Sequence, residues 1–367
     1  MTPVRTSNYW GSAAGGRICV QPVGDLTPKQ IHAWSAILYE NTDLSSPFFA
    51  PDYALAVGAV VPDVRVGIME HMGEPVAFLP FERNRYGVGC RLRLCDYQGL
   101  IAKQRLDFDA WAFIKGCGLK SWDFDHLLAS QAAFRPFHRG FRESPIIDLS
   151  NGFDAYVLDR RAAGTEQIKK AGNLMRRLER EVGPLRFESH LQDPVILRQL
   201  LAWRSIKYAK SRHPVELITD ILERLLARQS SACQGVLSVL FAGDEIAAAH
   251  FGLRSAQTWH YWFPAYNPCL EKYSPGTILL LQMTEFAPKI GIRTIDLGKG
   301  DQDYKRRLMN GSNTLAEGSV EVEPLLRGVR SVRGSVQAWL RNHPRLASPI
   351  RQAIRLTRHA KWVSQNP

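Results

Sequence analysis

The run Tyr273-Ser274-Pro275-Gly276-Thr277-Ile278-Leu279-Leu280-Leu281, followed by Gly291 and then Thr294-Ile295-Asp296-Leu297-Gly298, constrains this chain more than any other segment. It reads as a helix that opens onto an anion site. Ser274 suits the N-cap because its hydroxyl can accept from a first-turn amide, Pro275 fits the first helical position, and Gly276 puts no side chain between backbone and ligand. Outward N–H groups and the positive end of the helix dipole are what a phosphate needs, including the pyrophosphate of a coenzyme. Ser-Pro also opens many helices that bind nothing.

The flanks sharpen the reading. Leu237 to Leu240, Glu245 to Leu253 and Thr258 to Phe263 are short β-branched or aromatic runs, separated by Gly243-Asp244 and by Arg254 to Gln257, as expected of three antiparallel strands. The third feeds the Ser-Pro-Gly helix. That helix ends near Lys289 to Gly291 and leads to a fourth strand at Thr294 to Leu297.

Strand, strand, strand, phosphate-ready helix, strand resembles the acyl-CoA-binding core of GNAT acyltransferases. With Tyr261, Ala265-Tyr266-Asn267-Pro268, Ser274-Pro275-Gly276, Asp296-Leu297-Gly298-Lys299-Gly300 and Tyr304-Lys305, the segment from His250 to Glu317 resembles the GNAT-like acetyltransferases grouped with the cellulose-biosynthesis protein CelD. Upstream, Ser46-Pro47-Phe48-Phe49, Phe78-Leu79-Pro80-Phe81, Asp96-Tyr97-Gln98-Gly99-Leu100, Ile146-Ile147-Asp148-Leu149 and Arg176-Arg177-Leu178-Glu179-Arg180 extend the resemblance to residues 18 to 325. The group is similar to the FemABX peptidyl transferases, which join two GNAT-like halves. The resemblance implies an α/β chain with mixed sheets, made of two fused GNAT-like domains.

The rest of the chain agrees with that organisation. At 367 residues and 45% hydrophobic composition it can bury two cores. The expected divisions are a disordered lead-in over 1–17, an N-terminal domain over 18–150, a basic connecting helix over 151–184, the acyl-CoA-binding domain over 185–325 and a basic helical tail over 326–367. In the first half, strands are expected at Ile18 to Pro22, Arg91 to Cys95, Gly99 to Ile101, Ser121 to Leu127 and Arg142 to Leu149, with a hairpin around Met72-Gly73-Glu74. Helices are expected at Pro28 to Tyr39, Asp52 to Val60 and Phe108 to Gly116.

Several function classes drop out. The six cysteines are scattered with no Cys-x-x-Cys pair, and the histidines lack metal-ligand spacing, so no metal is expected. Gly298-x-Gly300 has no downstream Gly-Lys-Ser/Thr, and no G-x-S-x-G elbow is present. No apolar run approaches the ~18 residues of a membrane span, and no signal-peptide core is evident, so a cytoplasmic location is expected. Of the net charge of +12, the stretch 324–367 carries +9 with no acidic residue. Interleaved with Val336, Trp339, Leu340, Ile350 and Ile354, that charge suits short amphipathic helices on an anionic membrane surface, or docking on the protein itself. No nucleic-acid-reading motif accompanies it, so no specific nucleic acid is expected.

Acyl transfer of the GNAT kind has an amine attack the coenzyme thioester directly, so it needs a base, a donor for the departing thiolate and oxyanion-stabilising donors. His250, on the second core strand, titrates near neutrality and is one candidate base; a hydrogen-bonded core histidine is the other reading. Asp296 would orient His250, bind the acceptor or act as base, or else cap the Gly298 turn. Tyr304 is placed to protonate the thiolate, with Tyr261 as a second acid that also meets the coenzyme, and Lys305 to neutralise phosphate or a substrate carboxylate. Ser274, Gly276 and Thr277 are the coenzyme contacts. Trp203 and Lys207 match a Trp- and Lys-bearing helix of the family and are the substrate-contact candidates, with core packing as the other reading of Trp203. The implied reaction moves an acetyl or other acyl group from acyl-CoA to an amine, an amino sugar or related precursor of extracellular polysaccharide. The alternatives are a FemABX-like transferase using aminoacyl-tRNA and a GNAT-shaped accessory protein without catalysis.

Overall fold

The computed structural model describes residues 5–7, 16–104, 106–207, 214–228 and 230–323, the side chains of 5–7 and 205–207 excepted. In the first half β1 (Arg5–Ser7) pairs with β2 (Gly16–Pro22), so part of the expected lead-in is a strand. Thr27 and Gln30 form a reciprocal capping box that starts α1 (Pro28–Glu40). After α2 (Pro51–Gly58) comes the hairpin of β3 (Val64–His71) and β4 (Glu74–Arg83). Met72 and Gly73, at φ 52° and 81°, make the two-residue turn whose twist matches the strands. β5 (Val88–Cys90) and β6 (Ile101–Ala102) are short. Between them Arg91 to Cys95 is irregular, not the expected strand. Leu94 sits at φ 63°, and Tyr53 donates its hydroxyl to the Arg93 carbonyl at 2.6 Å, which takes that group out of any ladder.

α3 (Ala110–Gly116), β7 (Ser121–Leu128) and β8 (His138–Asp148) complete this half. The connecting segment, expected as one basic helix, is two. α4 (Phe153–Ala162) and α5 (Gln167–Glu181) are separated at Gly164, whose φ of 76° a helix cannot hold. The second half then runs β9 (Leu185–Leu191), α6 (Pro194–Lys207), α7 (Val215–Leu226), β10 (Gln234–Ala242), β11 (Glu245–Arg254), β12 (Thr258–Tyr266), α8 (Pro275–Phe286), β13 (Thr294–Asp296), α9 (Asp303–Leu308) and β14 (Gly311–Glu321).

One order of elements occurs twice: a strand, two helices, antiparallel strands, a helix, then a strand parallel to one that precedes the helix. In the first half that parallel pair is β5 with β7 around α3, and in the second β12 with β13 around α8. Among the described residues fourteen strands lie in one sheet, in the order β1-β2-β3-β4-β5-β7-β14-β8-β13-β12-β11-β10-β9, with β6 on β4. The halves exchange their last strands. β14 lies between β7 and β8, while β8 pairs antiparallel with β13 of the second half.

Two apolar clusters cover the sheet. Trp34, Phe48, Phe49, Tyr53 and Phe78 join Ile221, Leu225, Phe251 and Trp262 in one. Tyr156, Leu178, Trp259, Ile278, Leu279, Met283 and Ile295 form the other, so the apolar stripe of α8 is what seats the helix. Each such side chain contributes about 1.5–3 kcal/mol on burial. Among the described residues no helix is long and apolar enough to cross a membrane. The stretch 326–367, expected to be a helical tail, lies outside the described residues.

Candidate active site

The parallel pairing of β12 with β13 is brief: Thr258 with Thr294, Trp259 with Ile295, and His260 with Asp296. Beyond that pair β12 continues to Tyr266 while the other chain turns away through Gly298 (φ 74°). The sheet therefore parts next to the start of α8. A cavity of about 520 Å³ is lined there by Trp203, Arg204, Tyr261, Tyr266, Glu271, Ser274, Gly276, Thr277 and Tyr304, with Pro264, Ala265 and Pro268. Six of the residues singled out from sequence thus meet at one opening: Trp203, Tyr261, Ser274, Gly276, Thr277 and Tyr304. Lys207 ends α6, and its side chain lies outside the described residues.

The start of α8 differs in detail from the expectation. Ser274 has left-handed backbone (φ 52°, ψ 51°), and its side chain makes no capping hydrogen bond. Its carbonyl accepts from Thr277 N–H at 3.0 Å and from Ile278 N–H at 3.3 Å. With Thr277 engaged and Pro275 lacking a donor, the first-turn amide left without an intrahelical partner is that of Gly276. The equivalent helix of the first half is closed differently. Asp109 accepts from Trp111 and Ala112 N–H at 2.8 and 3.1 Å, so a carboxylate already occupies the anion position of α3. At the start of α8 no side chain takes that position. A Cβ built on Gly276 meets nothing closer than Tyr266 Cδ1 at 3.5 Å, so a side chain there would enter the cavity without disturbing the fold. On the outer side, Tyr273 donates to Glu181 at 2.7 Å, and Arg177 donates to the same carboxylate at 2.8 Å, fixing α5 beside the turn that precedes α8. These bonds, that of Arg177 first, hold the Glu181 carboxyl down at about 2.

Tyr261 donates its hydroxyl to the Gly276 carbonyl at 3.4 Å, tying β12 to the helix start. Burial, with Tyr304 nearby, pushes its phenol well above the ordinary value, so it is a neutral donor. His250 stacks on the Tyr261 ring at 4.4 Å between centroids. It is fully buried, its Nε2 accepts from Trp262 N–H at 3.2 Å, and its Nδ1 has no partner. Burial first, then the charges of His260 and Arg204, drives its imidazole well below the usual value. With one ring nitrogen committed to backbone and no place in the cavity lining, His250 does not have the setting of a general base. The ring also lies against Gly252, where a Cβ would meet His250 Cε1 at 2.4 Å.

Asp296 is not paired with His250 either. Its carboxylate accepts from Tyr97 and, at 2.8 Å each, from Ser144 Oγ and Gly298 N–H, with Asn313 Nδ2 at 3.5 Å. Its histidine is His260, whose Nδ1 lies 3.5 Å from Asp296 Oδ1 without hydrogen-bond geometry, while His260 Nε2 bonds Asp96 Oδ2 at 3.0 Å. Burial pushes the Asp96 carboxyl up, but the His260 hydrogen bond and the charges of His260, His126 and Arg91 outweigh it and hold that group below the usual carboxylate value. Lys305, expected to meet phosphate or a carboxylate, donates to the carbonyls of Gly298 and Lys299 at 2.9 and 3.3 Å and braces their turn. Its ammonium is lowered by burial, partly offset by Asp96, Asp296 and Asp301. Among the described residues no three metal-ligating side chains converge.

Sequence reasoning missed His260, Asp96 and Arg204. Asp96 was visible only as part of the Asp96-Tyr97-Gln98 motif, and His260 becomes a partner of Asp296 through a strand register that no local pattern encodes. Arg204, on the helix that carries Trp203, lies over the Phe263 ring at 4.4 Å and supplies the guanidinium of the cavity wall.

A parted β12–β13 pair beside a helix with an open N-terminus, in a mixed sheet built twice over, defines a GNAT acyltransferase fold. Residues 166–306 match the family model described as an acetyltransferase (GNAT) domain. Among solved structures, the chain resembles the C-terminal domain of a putative lysylphosphatidylglycerol synthetase from Agrobacterium fabrum, with 12% identity over 83% of this chain and 95% of that one and a TM-score of 0.54. A tandem GNAT protein from the clavulanic acid biosynthesis pathway matches at 10% identity over 84% and 99% of the two chains, with a TM-score of 0.48. FemX matches at 11% identity over 72% and 89%, also with a TM-score of 0.48. No curated protein matches.

Proposed function

We propose that the chain transfers an acetyl or other acyl group from acyl-CoA to an amine, with an amino sugar or related precursor of extracellular polysaccharide as acceptor, as in the CelD-like group. The observation that carries the coenzyme assignment is the contrast between α3, closed by Asp109, and α8, whose first turn is open to the cavity. The pyrophosphate would rest against the Gly276 N–H, the Ser274 and Thr277 hydroxyls and Arg204, where the helix dipole and guanidinium favour an anion.

Chemistry then follows from the parted strands. The amine nitrogen bonds to the thioester carbonyl carbon, the C–S bond breaks, and the proton lost from nitrogen is balanced by one taken up by the coenzyme thiolate. Tyr304, in the cavity wall, supplies the thiolate proton. Asp296, at the end of β13 where it parts from β12, would receive the amine proton from the side away from the coenzyme opening, whose lining it does not join; Tyr97, Ser144, Asn313 and the Gly298 N–H fix its orientation. Backbone N–H groups of β12 past His260, other than the Trp262 N–H held by His250, would face the developing oxyanion. The basic tail would hold the protein against anionic lipid at the inner membrane face.

Acetyl-CoA at about 100 times its dissociation constant should stabilise the protein by about 2.7 kcal/mol. Gly276→Glu places an anion in the pyrophosphate position and should abolish that stabilisation while leaving the ligand-free melting temperature unchanged. A thermal shift in the variant equal to that of the parent would remove the basis of the coenzyme site.

A further inference from the structure

A second cavity of about 520 Å³ lies apart from the coenzyme opening, and the two share no lining residue. Thr258 and Thr294, at the paired ends of β12 and β13, line it together with Ser312 and Thr314 of β14 and with Asp43 and Ser46 from the turns that follow α1. Tyr97, Asp296 and Asn313 complete its polar surface. Nine of its fifteen lining residues carry a hydroxyl, two are aspartates, and none is Lys, Arg or His.

That composition selects a ligand. Hydroxyl groups withdrawn from water need replacement partners, which a polyhydroxylated molecule supplies and an apolar one does not. Two carboxylates without a cation repel phosphate and attract an ammonium group. Ser46, only 8% exposed, has no partner for its Oγ. Asp43, exposed on the rim, forms no ion pair among the described residues, whereas Asp296 is already held by Tyr97, Ser144, Asn313 and the Gly298 amide. A smaller cavity of about 400 Å³ shares Asp43, Leu128 and Ser130 with this one; one part of its wall is Leu44, Leu100, Leu106 and Phe108, and another is Asn41, Gln104, Gln131 and Lys103, the last paired with Glu40 at 3.5 Å.

We propose that this cavity binds a protonated amine carried on a hydroxylated, sugar-like scaffold, with Asp43 as the ammonium contact and the Leu44, Leu100, Leu106 and Phe108 wall of the adjoining cavity taking an alkyl substituent. The fate of that amine rests on the acyl-transfer reading; its binding does not. The lining disfavours phosphate, so a free or alkylated amino sugar fits and a sugar phosphate does not.

Calorimetric titration at pH 7 with glucosamine, glucose, glucosamine 6-phosphate and cyclohexylamine tests it. Glucosamine should bind at least about tenfold tighter than each of the others, the margin of one charge-assisted hydrogen bond. An alkyl glucosaminide should bind tighter than glucosamine. Asp43→Asn, a rim substitution with no ion pair to break, should erase the preference for glucosamine over glucose, and Ser312→Leu should block binding by filling the cavity. Equal affinity for glucose and glucosamine overturns the proposal, as does a preference that survives Asp43→Asn or an absence of binding by every sugar. Gly276→Glu should still bind glucosamine. Glucosamine binding by a wild-type protein that ignores acetyl-CoA would defeat the coenzyme reading and leave this cavity's assignment standing.

Discussion

His250 and Asp296 show how differently two buried polar residues of one sheet behave. His250 is neutral in the folded chain because burial holds its imidazole well below the usual value of about 6.5 that the unfolded chain keeps. Below that pH the unfolded state binds a proton that the folded state does not, so stability falls on acidification. Urea titrations from pH 7.5 to 5 should show a slope approaching about 1.4 kcal/mol per pH unit, and His250→Gln should flatten it. An unchanged slope in the variant would assign the pH dependence to another group. Asp296→Asn is expected to act on turnover instead, lowering it by about two to four orders of magnitude with acetyl-CoA affinity retained. His260→Gln should add little to that loss if the two residues work as a unit. Normal turnover in Asp296→Asn, with only a lower melting temperature, would make the carboxylate a structural brace of the Gly298 turn.

Among the elements, β14 carries the greatest constraint because it has a neighbour on each side, β7 and β8, drawn from the other half. Gly318 is where it passes closest to its surroundings. A Cβ there would meet the Phe137 carbonyl at 2.1 Å and the Phe124 ring at 2.6 Å, and a backbone oxygen cannot move aside as a side chain can. Gly318→Ala should therefore cost about 1–3 kcal/mol of stability, read as a lower urea midpoint. A midpoint equal to that of the parent would mean that the β7–β14 seam is looser than its geometry. The α8 element obeys a different logic: its apolar face is committed to the core through Ile278, Leu279 and Met283, and its first turn carries no side-chain cap.

At the scale of the molecule, the exchange of last strands makes the halves interdependent. β8 closes the first half in sequence, yet its partners are β13 and β14 of the second. A fragment of residues 18–150 would expose both edges of β8 and the open side of β7, leaving backbone groups unpaired. Expressed alone, it should fail to show a cooperative thermal transition, whereas 16–323 should show one. Cooperative melting of the short fragment would make the exchange a late docking step, not a condition of folding.

Much of the architecture follows from local pattern. Pro28 to Glu40, the β3–β4 hairpin, the run from β10 to β12 and the helix after Ser274 are legible from capping residues, turn glycines and strand-type alternation, because those signals act over a few residues. The same holds for the cavity wall, since Ser274, Gly276 and Thr277 share one helix turn, and Tyr261 and Tyr304 lie on elements whose order the sequence already implies. Arg91 to Cys95 was illegible because Tyr53, forty residues away, takes a carbonyl that a ladder would have used. Which histidine meets Asp296 was decided by the parallel register of β12 and β13, a product of packing across the sheet. The polar cavity, assembled from turns after α1 and from β12, β13 and β14, exists only once those strands lie side by side. Local chemistry names the elements and the start of α8; long-range strand pairing, whose energy depends on partners far apart in sequence, chooses the side chains that meet.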